Sequence, residues 1–259
     1  MSGRFAVLQT TLDPPPLESL RRACGRVPGL AAVDAGPIHR DAFGVLIKDF
    51  TREQATTFHE ALKAEGVETE VVEQSALPEL PATKFVPRLD CEEAGLHIYD
   101  SLERTTLVEW PDVMLVAVGN VRVIEFTRRP VGLTYFSYED QSMAEEVVDV
   151  VSKEEQRLQL SLDIITARAE RRFSAIGDRM NFVHLGARRA DRMPRNFRLL
   201  VQDIIAHAPQ ATLNTGAYQL HEGVEKFFEY PTKGAFAEEM SWLLYRMKQV
   251  GWEMGGQRS

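Results

Sequence analysis

The densest chemistry in the 259-residue chain is a run of arginine. Residues 168–198 hold nine arginines (168, 171, 172, 179, 188, 189, 192, 195 and 198) against Glu170, Asp178 and Asp191, a local net charge of +6. The planar guanidinium presents paired N–H donors in a fork that matches a carboxylate or a phosphate. Arg188, Arg189 and Arg192 stand out within the run, because they precede a helix that Pro194 is placed to open. Orphan N–H groups at a helix start favour anions, so these three are the candidate anion-binding residues. The competing reading is internal charge balance. Residues 138–157 carry seven acids (139, 140, 145, 146, 149, 154 and 155) against Lys153 and Arg157, a net of −5 that would neutralise the arginines.

Glu145, Glu146, Asp149, Glu154 and Glu155 would line one helix face at three- and four-residue spacing, which invites a metal reading. No histidine joins them at ligand spacing, and Val147, Val148, Val150 and Val151 interrupt them with apolar residues. An amphipathic surface insertion is the better reading, and no metal is expected. The six histidines (39, 59, 97, 184, 207 and 221) are scattered, with no HExxH and no G-x-S-x-G elbow. Cys24 and Cys91 form no CxxC pattern, so neither a disulfide framework nor a zinc site is expected. The glycines at 251–256 follow the last helix and read as a fraying tail rather than a phosphate loop, with Trp252 packing back on its own domain. No cofactor is implied. A nucleophile–base pair assembled in space needs no sequence proximity, so an enzyme of dispersed residues stays open.

The elements that would position these residues change character along the chain. Residues 5–11 read as a strand, and Pro14, Pro15 and Pro16 lead into a helix with Leu17, Leu20, Cys24 and Val27 at helical spacing. Residues 30–33 read as a short strand and 43–50 as a longer one. Thr51 and Gln54 form a capping-box pattern before Ala55, Phe58 and Leu62, and Gly66 suits the position just past that helix. Alternation at Val67, Thr69 and Val71 completes a βαββαβ order, a ferredoxin-like α/β domain over residues 1–76. Pro78, Pro81 and Pro87 space a linker at 77–87.

Residues 88–259 read as an antiparallel β domain with the acidic insertion at about 138–157 and helices at its C-terminal end. Short β-prone runs occupy 88–91, 95–100, 105–110, 113–118, 121–127, 158–166, 172–176 and 180–185, with Gly119-Asn120 as one of the turns. Pro194 opens a helix carrying Phe197, Leu200, Val201 and Ile204, which Ala208-Pro209 ends. Thr232 caps the last helix, whose Phe236, Met240, Leu243, Leu244 and Met247 make an apolar stripe. Strands followed by helices indicate an α+β class.

The segment Gly95-Leu-His-Ile-Tyr-Asp100, followed by Leu107-Val-Glu-Trp110-Pro-Asp-Val113, resembles the strand-turn-strand wording of bacterial pleckstrin-homology-like domains. The resemblance implies a barrel whose open end the final amphipathic helix plugs. The chain departs from that pattern by material inserted after Phe126 and helices added after Pro194. As a whole it looks more like a bacterial protein family than any enzyme.

A net charge of −8 disfavours general adhesion to nucleic acid or anionic lipid. No apolar run approaches the ~20 residues that span a bilayer, and the amino terminus lacks signal-peptide character, so a cytoplasmic location is expected. The favoured reading is a non-catalytic binding or scaffold protein that recognises a protein partner or a small anion. An enzyme with a dispersed site and a ligand-sensing regulatory protein are the alternatives.

Overall fold

Apolar residues at three consecutive positions require burial on both sides of a strand, and that fixes the centre of the first sheet. In β1 (Phe5–Gln9), Ala6, Val7 and Leu8 are all fully buried. The computed structural model, which describes residues 3–135 and 146–251, places β1 between β2 (Val45–Phe50) and β3 (Thr69–Glu73), antiparallel to both. Val7 packs with Leu20 of α1 (Leu17–Cys24) and with Phe58 and Leu62 of α3 (Arg52–Ala64). The capping box forms as expected: the Gln54 N–H donates to Thr51 Oγ1 at 3.2 Å, and the Thr51 N–H donates to Gln54 Oε1 at 3.0 Å. Gly66 follows the helix with φ of +77°, which side chains bearing a Cβ disfavour.

Residues 30–33 are not the strand expected of them. Ala32–Asp34 is a 3₁₀ turn that runs into α2 (Ala35–Arg40), and the Ala31 N–H donates to the Asp34 carboxylate at 2.7 Å. A short polar side chain here offers the backbone a local partner in place of a neighbouring strand. The unit therefore has three strands rather than the four of a βαββαβ order.

Residues 77–87, expected as a linker, are built into the body. Leu77 and Val86 are buried, and β4 (Thr83–Phe85) pairs in parallel with β10 (Arg172–Ile176). Next comes a small antiparallel sheet of β5 (Arg88–Glu92), β6 (Gly95–Tyr99) and β7 (Thr105–Val108). β8 (Val113–Tyr135) and β9 (Glu146–Thr166) then form one long antiparallel pair. The turn expected at Gly119-Asn120 is absent, and the strand runs through it. Gly119 sits against Tyr230, where an added Cβ would come within 2.4 Å of the ring. Close approach, not turn geometry, explains this glycine. Of residues 180–185, also expected as a strand, 183–185 enter the 3₁₀ segment Val183–Arg188, and Asn181 makes only an isolated bridge to Arg88.

The large sheet has the order β11 (Thr212–Leu213), β8, β9, β10, β4, with β12 (Glu229–Tyr230) also on β8. On one face, Val118, Leu162, Ile164 and Phe173 pack with Phe197, Leu200 and Ile204 of α4 (Met193–His207) and with Leu89, Leu96 and Ile98 of the small β5–β7 sheet. Ala217 and Leu220 of α5 (Thr215–His221) join the same core. The opposite face meets α6 (Lys233–Gln249) through Leu115, Ala117, Val121 and Val123, which pack with Phe236, Met240 and Leu244.

Among the described residues the strands form three sheets, and none closes into a barrel. The last helix, expected as a barrel plug, lies between two sheets. Its Trp242 and Tyr245 pack with Ala6, Leu8 and Val45 of the N-terminal sheet. Trp242 Nε1 donates to the Gln9 carbonyl at 2.8 Å, and Arg246 pairs with Glu70 at 2.9 Å. The class is α+β. No helix among the described residues is long and apolar enough to cross a membrane. Glu139, Asp140 and Glu145 of the acidic stretch, and Trp252, lie outside the described residues.

Candidate ligand-binding groove

The alternation in β9 is regular: Leu160, Leu162 and Ile164 enter the core, which leaves Gln159, Ser161 and Asp163 on the other face. In β10, Phe173 and Ala175 enter that core, leaving Arg172, Ser174 and Ile176 beside the polar row of β9. These rows floor a groove of about 300 Å³. Val121 and Val123 of β8 line one flank, Thr83 and Phe85 of β4 another, and Lys233 and Phe236 of α6 close over it. Arg179 enters from the turn after β10.

Asp163 is 1% exposed and opposes Ser174 across the strands. Arg172 donates to Asp163 Oδ2 through Nε at 2.7 Å and also through Nη2. Burial raises the carboxyl above its usual range, outweighing the pull of Arg172 and Ser174 in the other direction. A buried ion pair gains little net stability, because its desolvation offsets its attraction. Fixed donors and acceptors on a groove floor are nevertheless suited to orienting a guest. Lys233 and Arg179 are exposed, and neither is paired with an acid among the described residues. Among the described residues the groove therefore carries two cations without an acid partner beside one internally neutralised pair.

The arginine run does not converge on one point. Arg188 is forked onto Asp203 of α4, with Nη1 to Oδ1 at 2.8 Å and Nη2 to Oδ2 at 2.6 Å. Arg189 lines a separate open cavity of about 550 Å³ together with Asp178, Asp191 and Asn196. Arg192 directly precedes α4, and its carbonyl accepts the Asn196 N–H at 3.2 Å; it is not among the residues lining that cavity. Arg198 donates to the carbonyls of Val224 and Glu225 and lies over the Phe227 ring. Arg172 and Arg179 are the members of the run that reach the groove.

No family model, curated protein or solved structure matches this chain. Its chemistry therefore rests on its own geometry. Among the described residues no group of three or more His, Cys, Asp or Glu is placed to hold a metal ion. Burial pushes the Cys24 thiol up to about 11 and the Cys91 thiol up to about 12, so both are protonated and poorly nucleophilic near neutrality. Sequence reasoning passed over the groove because its polar rows look like the solvated side of ordinary strands. The available signal was the three polar residues at alternate positions of β9 facing Arg172 and Ser174 of β10.

Proposed function

We propose that this chain is a non-catalytic binding protein and that the β8–β9–β10–β4 groove is its ligand site. The observation that carries the reading is the Asp163–Arg172 pair, its carboxylate buried in the polar row of β9 and β10 yet placed on the floor of an accessible groove. Ser161 and Ser174 add hydroxyls beside it, while Val121, Val123, Ile176 and Phe236 supply apolar wall. Convergent polar groups in an apolar recess are the usual makeup of a small-molecule site. The volume, at the lower end of about 300–1,000 Å³ for such sites, suits a single small organic molecule. A site on the sheet face, rather than at Arg188, also agrees with the internal use of Arg188 by Asp203.

Thermal-shift screening of small organic compounds tests this. Thr83→Trp on the exposed edge strand fills the groove from its rim. A compound that stabilises the wild type is expected to lose its effect in Thr83→Trp, and to be recovered unchanged after incubation. Equal stabilisation of both proteins would place binding elsewhere, and conversion of the compound would overturn the non-catalytic reading.

A further inference from the structure

The charge and the exposed apolar surface around the groove narrow the class of its occupant. Arg172 is already committed to Asp163, so the charges left to face a guest are Lys233 and Arg179. The chain as a whole is acidic at −8, which makes two cations with no acid partner among the described residues a local reversal of sign. α6 begins at Lys233, so the positive end of a 17-residue helix dipole adds to that field.

The apolar part of the recess is equally specific in placement. Phe85 is 64% exposed on β4, opposite Ser174 and so on the groove face of the sheet. Val121 and Phe236 continue apolar surface inward towards α6, near Lys233. One molecule spanning this surface would need an apolar body and a negatively charged end.

Resting on the reading of the groove as a binding site, we propose that its occupant is a small organic carboxylate with an apolar body. The carboxylate lies at Lys233 and Arg179, where the guanidinium fork and the ammonium match it. The body covers Phe85, Val121 and Phe236. One guanidinium fork and one ammonium complement the two oxygens of a single carboxylate, and a phosphate of the same body is the competing occupant.

The test uses the full chain and compounds sharing one body: 4-phenylbutyrate, 4-phenylbutanol, 4-phenylbutylamine and 4-phenylbutyl phosphate, with acetate as the charge lacking the body. Titration calorimetry is expected to rank the carboxylate about tenfold or more above the alcohol, with the amine, the phosphate and acetate weaker. In the double variant Lys233→Gln, Arg179→Gln the advantage of the acid over the alcohol should vanish. Equal binding of acid and alcohol to wild type, both abolished by Thr83→Trp, would overturn the carboxylate assignment and leave the groove reading standing. Acid binding untouched by Thr83→Trp would remove both. A phosphate preference, or no binding by any compound up to millimolar concentration, would overturn the carboxylate proposal.

Discussion

At the scale of single residues, burial rather than motif decides which side chains are chemically distinctive. His184 belongs to no sequence motif, yet its side chain is only 6% exposed, and neither ring nitrogen has a hydrogen-bond partner among the described residues. Asp90 Oδ1 lies 3.7 Å from Nδ1, beyond hydrogen-bond reach, and is itself held by Arg88. Burial lowers the His184 pKa from 6.5. Asp90 and Asp203 pull the other way, and Arg188 and Arg88 add to the lowering. Below the unfolded value of 6.5 the unfolded chain takes up a proton that the folded chain resists. Stability from this residue is thus present above about pH 6.5 and lost as pH falls through the lowered folded value. Urea melts from pH 7.5 down to 5 should show a steeper loss for wild type than for His184→Phe. Parallel curves would mean that His184 does not couple to folding in this range.

At the scale of elements, the last helix shows how a one-sided pattern in sequence becomes a two-sided role. The stripe of Phe236, Met240 and Leu244 meets β8, but Trp242 and Tyr245 are buried against the N-terminal sheet. α6 even buries a carboxylate fully: Glu239 accepts from the Thr215 N–H at 2.7 Å, from Thr215 Oγ1 at 2.6 Å and from the Tyr230 hydroxyl. Three neutral donors meet its two oxygens, so the buried group is hydrogen-bonded without a cation. Leu244 is fully buried, and Leu244→Ala should cost ~2–5 kcal/mol in chemical denaturation. Leu243 is only half-buried between the two cores, so Leu243→Ala should cost clearly less. Equal losses would contradict the orientation of the helix.

At the scale of the whole molecule, the two units read from the sequence are joined by more than a linker. β4 is a strand of the large sheet contributed by residues 83–85, and Lys48 pairs with Glu238 at 2.7 Å across the same junction that Trp242 fills. Gly44 is part of that fit, since a Cβ there would stand 2.3 Å from the Trp242 ring. A fragment of residues 88–259 would lack β4 and expose Trp242 and Tyr245. Circular dichroism should show it melting without the cooperative transition of the full chain. A sharp melt close to that of the full chain would instead support two independently folding domains.

What the sequence by itself determined was local. Periodicity and caps located β1, α3, α4 and α6, because apolar spacing and the Thr51 and Thr232 caps act within a few residues. The α+β class followed from the order of those elements. Tertiary structure alone decided the pass of β8 straight through Gly119, because the cause is a tyrosine more than a hundred residues away. It also decided that the arginine run is dispersed, with Arg188 taken by Asp203 and Arg172 by Asp163. Charge runs count residues along the chain, whereas ion pairs depend on which side of a strand or helix each residue leaves. The groove arises from that same fact: two adjacent strands turn their polar alternates to one face, and α6 covers only part of it.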